Sequence, residues 1–179
     1  MSLKHSLLVM LAEHPASGYD LSQHFKGSVG FFWNASHQQI YQQLKALSEA
    51  GWVRFSTETQ ADKPDKKIYE LTAEGRQAMT QWLREPAEVN KYKDALLIKV
   101  YGGAHIEAEV LQAEIQRHQQ LHQKGLAKLK AIEEEYLGLN RDQQKAMRLP
   151  YLTLKYGISA EENWLQWANQ CLEAINDNT

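Results

Sequence analysis

Cysteine is almost missing from this chain. Cys171 is the only one in 179 residues, so no intrachain disulfide can form and folding must draw on buried apolar surface. A lone thiol near the end of a C-terminal segment reads as packing rather than chemistry. Proline is scarce as well, and the four residues Pro15, Pro64, Pro86 and Pro150 leave long stretches between them free to form unbroken helices. No apolar run approaches the roughly 18 to 20 residues of a membrane helix, and Met1-Ser2-Leu3-Lys4 does not open a secretory leader, so a cytoplasmic location is expected. An excess of one charge is also lacking. The net charge is −2 and the pI about 6.4, which excludes a partner held by bulk electrostatics. Residues 1 to 85 carry nine Lys or Arg against nine Asp or Glu, and the remainder eleven against thirteen, so contact with a polyanion would depend on where a few cations are placed. No Ser-His-Asp order, Gly-rich phosphate loop or paired acid and base stands out. The chain is therefore expected to have no catalytic residues, to bind no cofactor and not to be an enzyme.

What is present is concentrated between Ser36 and Leu71. Ser36-His37-Gln38-Gln39 places Ser at an N-cap and Gln three residues on, the capping-box pattern that satisfies otherwise orphaned backbone N–H groups at a helix start. From there Ile40, Leu44 and Leu47 recur at helical spacing on one face, while Gln38, Gln42 and Lys45 recur on the opposite face, flanked by Tyr41. Gln and Lys donate or accept toward base edges and phosphates, so this second face suits a DNA groove. Gly51 is placed to end the helix in a left-handed conformation. Val53, Phe55 and Thr57 then alternate in strand fashion. A polar loop from Ala61 to Lys67 follows, Ile68 to Leu71 returns as a second strand, and Thr72 caps another helix. Helix, strand, basic loop and strand describe a winged helix. In its wing, Lys63, Lys66 and Lys67 are expected to meet phosphates, against the plainer reading of a solvated turn balanced by Asp62 and Asp65.

Upstream, Leu3, Leu7, Leu8 and Leu11 make a helical stripe, Pro15 to Gly18 reads as a turn, and Tyr19, Leu21 and Phe25 begin a second helix capped by Ser17. Gly27 to Asn34, with Phe31, Phe32 and Trp33, reads as a loop whose aromatics pack rather than stack on bases. Pro86 ends the helix that starts at Thr72. The expected organisation is a DNA-binding domain over residues 1–85, a linker over 86–92 and a helical domain over 93–179.

The second half is helical by pattern. Asp94 to Tyr101 forms a short helix ended by Gly102-Gly103. A long one from Ile106 to about Tyr136 carries Leu111, Ile115, His118, His122, Gly125, Leu129, Ile132 and Tyr136 along a heptad-like seam with a soft middle. The last segment keeps the spacing more strictly through Tyr151, Leu154, Ile158, Glu161, Leu165, Ala168, Leu172 and Ile175, with Pro150 tolerated in its first turn. Two such seams hold more apolar stripe than one hairpin can bury, so a second copy of the chain is the expected partner. Leu154, Ile158, Trp164, Leu165, Trp167, Leu172 and Ile175 are its candidate dimerisation residues. Trp164 and Trp167 suit either a dimer anchor or a stacking wall for a planar ligand. His118 and His122 lie four apart, a metal-binding spacing, but no carboxylate or cysteine completes a set nearby in sequence and no metal site is expected.

Three runs carry a family resemblance: Ser17-Gly18-Tyr19-Asp20-Leu21, Phe32-Trp33-Asn34-Ala35-Ser36-His37-Gln38-Gln39-Ile40-Tyr41, and Lys63 through Arg76. Together they resemble the PadR family of bacterial transcriptional regulators. The Ala35 to Tyr41 run and Trp164-Leu165-Gln166-Trp167-Ala168 look closest to its AphA virulence-activator branch. Many members have Pro directly after the recognition-helix Tyr where this chain has Gln42, which leaves the fold expectation intact and the operator sequence unassigned. The resemblance implies a mainly α fold: an N-terminal winged helix-turn-helix domain and a C-terminal helical, coiled-coil-like dimerisation domain. It also implies a homodimer that binds a pseudo-palindromic site in double-stranded DNA, with Ser36, His37, Gln38, Gln39, Tyr41, Gln42 and Lys45 on the recognition helix and Lys63, Lys66 and Lys67 in the wing. A small-molecule effector is left unassigned. The alternatives are a winged-helix protein-interaction module, which the neutral charge would suit, and a metal-responsive sensor built on His118 and His122.

Overall fold

The computed structural model describes residues 3–27, 35–59, 65–89 and 93–177, and the chain divides into two compact units, Met1–Val89 and Asn90–Thr179. The expected aromatic loop at Phe31, Phe32 and Trp33, wing residue Lys63 and linker residues 90–92 lie outside the described residues.

The first unit runs α1 (Leu3–Glu13), β1 (Ala16–Ser17), α2 (Gly18–Gly27), α3 (His37–Glu49), β2 (Val53–Glu58), β3 (Lys66–Leu71) and α4 (Ala73–Arg84). Its core is what the helical stripes dictate: Leu7, Leu8 and Leu11 from α1, Leu21 and Phe25 from α2, and Ile40, Leu44 and Leu47 from α3, closed by Val53, Tyr69 and Met79. Burying such a side chain contributes roughly 1.5–3 kcal/mol, against about 1 kcal/mol for a helix cap. The core therefore holds α3 in place, and the cap sets where the helix starts. The Ser36 capping box forms as its residues imply, and Gly51 ends the helix at φ +72°.

Two features differ from the sequence reading. The Pro15 to Gly18 segment is more than a turn, because Ala16 and Ser17 form β1 and pair antiparallel with Tyr69 and Ile68 of β3, giving the sheet order β1-β3-β2. Two residues are too few to show an alternation in sequence, yet both are buried and their backbone groups need partners. The alternation of β2 does mark a strand, paired from Val53↔Leu71 to Glu58↔Lys66, but only Val53 enters the core. Phe55 is 42% exposed, since the hairpin projects past the core as a wing.

The second unit runs α5 (Ala95–Tyr101), a 3-10 turn (Gly103–His105), α6 (Ala108–Leu137), α7 (Arg141–Ala146) and α8 (Arg148–Asp177). α6 and α8, 30 residues each, pair antiparallel. Gln112 meets Asn176, Gln119 meets Asn169, His122 meets Glu161 and Glu133 meets Tyr151, so positions descend on one helix as they rise on the other. Leu96, Leu111, Ile115 and Ala168 form a core at one end, and Leu129 and Ile158 are buried further along. Ile158, expected at a dimer surface, is only 2% exposed within the single chain, because the α8 seam is answered first by α6. The short helix α7 is also additional to the sequence reading, although Asn140 and Gln143 form a capping box whose spacing is visible in the sequence. Among the described residues no helix is long and apolar enough to cross a membrane.

The corner where β3 enters α4 ties the wing to the core. Thr72 Oγ1 caps α4 by accepting from Gly75 N (3.0 Å) and donates toward the carbonyls of Gly51 (2.7 Å) and Trp52 (3.0 Å). Thr72→Ala should cost about 1–2 kcal/mol in urea unfolding, with Thr72→Ser restoring most of it. Gly75→Ala should cost more, about 3 kcal/mol or above, because its Cβ would lie 1.9 Å from the Trp52 carbonyl oxygen. Equal midpoints for Thr72→Ala and the parent would show that the corner is held by packing alone.

Candidate nucleic-acid interface

Burial of Ile40, Leu44 and Leu47 turns the other face of α3 to solvent, where Gln38, Gln42 and Lys45 are all exposed. No hydrogen bond engages the side chain of Gln38 or Gln42 among the described residues. Lys45 lies 3.8 Å from Glu49, but both side chains are more than 65% exposed (79% and 67%), so this pairing is weak and readily exchanged for a phosphate.

Ser36 and Gln39 have a different duty. Ser36 Oγ accepts from Gln39 N at 3.2 Å and Gln39 Oε1 accepts from Ser36 N at 2.8 Å, so both side chains are engaged in starting the helix. His37 packs against Tyr41 with ring centroids 4.5 Å apart. Tyr41 in turn lies over Gly18, where a Cβ would come within 2.7 Å of its Cζ. Tyr19, read with Leu21 and Phe25 at the start of α2, is 58% exposed beside that contact. Its helical phase accounts for this, because two positions before buried Leu21 it lies about 200° around α2, on the opposite side.

The wing cations are less free than the sequence suggests. Lys66 Nζ lies 2.9 Å from Asp20 Oδ2, and the same carboxylate oxygen accepts from Ser17 Oγ at 2.8 Å. The hydrogen bond from Lys66, reinforced by Ser17, holds the Asp20 carboxyl below its usual range, and the carboxylate raises the Lys66 ammonium. Lys66 is therefore a tether between β3 and the start of α2. Lys67 sits 4.3 Å over the ring of Phe55, and Arg54 pairs with Glu70 across the hairpin. Lys63 lies outside the described residues.

In the second unit, His122 Nδ1 lies 2.6 Å from Glu161 Oε2 and its ring stacks on Trp164 at 3.7 Å and 14°. The partner missing from the sequence neighbourhood of His122 thus comes from α8. His118 Nε2 faces Arg117 at 2.9 Å, and no group of three or more His, Cys, Asp or Glu suited to a metal occurs among the described residues. Trp164 and Trp167 meet edge to face at 5.6 Å and pack, with Leu172 and Ile175, on the Leu96–Ala168 core. One face of Trp164 is occupied by His122, so packing describes it better than an open stacking wall. Leu154 and Leu165 are half-buried on α8. Large exposed apolar side chains are found on α5, at Leu97, Ile98 and Tyr101, of which Ile98 is 73% exposed, and in the first part of α8, at Leu149, Leu152 and Tyr156.

Comparisons with known proteins agree with this architecture. Residues 7–81 match the transcriptional regulator PadR-like family and residues 92–176 match the virulence activator alpha C-terminal family. A probable transcriptional regulator of Mycobacterium tuberculosis is 31% identical over 99% of both chains, and the negative transcriptional regulator PadR of Bacillus subtilis is 32% identical over 97% of both. The crystal structure of the latter in complex with operator DNA superposes with a TM-score of 0.80, at 29% identity over 97% of this chain and 98% of that one. Its complex with p-coumaric acid gives 0.74, at 27% identity over 97% and 98%. The Vibrio cholerae virulence activator AphA gives 0.77, at 28% identity over 99% of this chain and 100% of that one.

The Asp20–Lys66 tether has a pH signature. Because the folded-state value of Asp20 is depressed, its contribution is fully present above the ordinary carboxylate pKa of about 3.9 and is lost as pH falls through the folded value. An NMR titration should find the Asp20 carboxyl below its ordinary value, returning toward it in Lys66→Gln. The stability gap between parent and variant should close as pH drops below about 4. A carboxyl that titrates identically in both proteins would remove the tether.

Proposed function

The chain belongs to the PadR-like family of transcriptional regulators, and from that premise we propose that it binds a pseudo-palindromic promoter site as a homodimer, one α3 helix in each major groove. The observation that carries this reading is the face of α3. Gln38 and Gln42 are exposed, lie four residues apart on a rigidly held helix, and their side chains have no internal hydrogen-bond partner among the described residues. An amide side chain in this setting pairs with the N6 and N7 edge of adenine, and Lys45 reaches phosphate or guanine. Tyr41, held at a fixed height by Gly18, contacts the DNA backbone together with His37, while Ser36 and Gln39 present the helix N-terminus. In the wing, Lys63 and Lys67 serve phosphate and Lys66 sets the angle of the hairpin through Asp20. With balanced charge in this half of the chain, the non-specific electrostatic share of affinity is small and specificity rests on the α3 amides.

The dimer follows from apolar surface left over after α6 and α8 have packed. Leu97, Ile98 and Tyr101 on α5, with half-buried Leu154, Trp164, Leu165, Trp167, Leu172 and Ile175 on α8, supply the face that a second copy covers. Two-fold symmetry then matches the symmetry of the operator, with half-sites about one helical turn or a multiple of it apart.

Replacing Gln38 and Gln42 together by Ala should leave the thermal melt unchanged and lower specific affinity by about 1–3 kcal/mol for each bidentate amide–base pairing removed. Gel shifts on the parent operator and on single-base variants read this directly. Unchanged discrimination in the double variant would move recognition away from α3.

Ile98→Lys should convert the dimer to a monomer in sedimentation analysis without loss of helix content, because Ile98 makes little packing within its own chain. Operator affinity should then fall about a hundredfold or more, the gain that linking two half-site readers provides. A variant that remains dimeric at micromolar concentration would exclude α5 from the interface.

A further inference from the structure

Several cations of the helical hairpin are neutralised where they stand. Lys99 and Arg117 share Glu114, whose carboxyl they hold at about 2, Lys130 meets Glu162 at 2.9 Å and Lys155 meets Glu133 at 3.0 Å. The tip between α6 and α8 is different. There Arg141, Lys145 and Arg148 line an open cleft of about 780 Å³ together with Asp142, Gln144, Leu152 and a pair of tyrosines. Among the described residues no carboxylate lies within salt-bridge distance of any of the three cations. Three positive groups against the single Asp142 leave the lining with a net charge of +2, on a chain whose net charge is −2.

The tip is also more firmly built than a connection requires. Asn140 Oδ1 accepts from Asp142 N (3.1 Å) and Gln143 N (3.0 Å), and Gln143 Oε1 accepts from Asn140 N (3.2 Å). Gln144 Nε2 donates to the carbonyls of Leu137 (3.2 Å) and Leu139 (3.1 Å), closing the end of α6, and Tyr136 Oη donates to Gln144 O at 3.1 Å. The rings of Tyr136 and Tyr151 stack at 3.9 Å and 5°, and Tyr151 Oη donates to Glu133 at 2.9 Å. Both hydroxyls are therefore engaged in structure. The cations are carried on a fixed backbone frame with one carboxylate, Asp142, among them, which leaves an excess of positive charge for an anion from outside.

We propose that this cleft binds a small polyanion with two or more acidic oxygens, a phosphate ester or a polycarboxylate, one per chain. Two guanidinium forks and one ammonium suit such a group, since Arg meets carboxylate and phosphate in bidentate fashion and Lys acts as a compact charge. The lining favours this over an aromatic or aliphatic ligand: its apolar surface is Leu152 and tyrosine rings that already stack on each other. The site is built from residues of the second unit alone and stands whether or not the reading of the α3 surface holds.

Calorimetric titration of the full chain with pyrophosphate and, separately, with citrate at matched ionic strength tests the proposal. Saturable binding of either with one site per chain is expected, and the ligand preferred separates phosphate ester from polycarboxylate. The triple variant Arg141→Gln, Lys145→Gln, Arg148→Gln should weaken binding by about tenfold or more. Asp142→Asn should tighten it, and Lys124→Gln with Lys128→Gln, exposed cations of α6 outside the cleft, should leave it unchanged. Arg148→Gln alone, checked by circular dichroism, keeps the test available if the triple variant does not fold. Absence of saturable heat with both ligands, or equal affinity in the cleft and control variants, overturns the proposal. So does a triple variant that loses DNA affinity while neither anion binds the parent, since the tip would then be a DNA-contacting surface.

Discussion

The first half of this protein depends on one constraint: α3 must be clamped along one face so that its other face can be presented in a single orientation. Ile40, Leu44 and Leu47 are each no more than 2% exposed. At roughly 1.5–3 kcal/mol per buried side chain, they outweigh any contact the polar face makes within the protein. The capping box fixes where the helix begins, and the Gly51 reversal fixes where β2 leaves it. A display surface needs such a division. Side chains free of internal partners keep their hydrogen-bonding capacity for a ligand, and rigidity of the backbone beneath them limits the entropy lost on binding.

The same unit shows how a near-neutral domain handles charge. Lys66, Arg54 and Lys45 all have carboxylate neighbours, and Lys67 rests on an aromatic ring. These pairings differ in strength. Lys66 is tied by a hydrogen bond to a carboxylate that is itself oriented by Ser17, whereas Lys45 and Glu49 are both largely solvated. Cations of this unit are thus graded by availability, which a count of basic residues does not reveal.

Much of this architecture is legible in the sequence, for physical reasons. Local signals carry furthest: the Ser36 and Thr72 caps, the α3 stripe, Gly51, and the Pro86 break all act within a few residues of themselves. The short strand β1 is not legible, since its pairing partner β3 lies some fifty residues away and two residues show no period. The Asp20–Lys66 tether and the His122–Glu161 contact are hidden for the same reason, as each joins segments that only the fold brings together. Tyr19 is exposed because, two positions before buried Leu21, it points to the opposite side of α2. The seam of α8 is visible as a pattern, but periodicity does not say whether a stripe is answered from within the chain, as at Ile158, or from outside it.

The polar middle of the α6–α8 hairpin, a soft spot when α6 is considered alone, becomes a device for register once the two helices are paired. In this antiparallel pair His122 faces Glu161, with Gly125 making room: a Cβ there would sit 3.2 Å from the Glu161 carboxylate. Sliding one helix by a heptad would keep the stripes in phase but bring Glu161 opposite Ile115 or Leu129. These two side chains are 0% and 1% exposed. A carboxylate set against either would lose water and gain no donor, a cost of several kcal/mol for an ion. Apolar heptads by themselves permit such slips, because each step exchanges one aliphatic contact for another. One charged residue matched to one histidine, between two apolar layers, excludes them at the cost of a weaker centre.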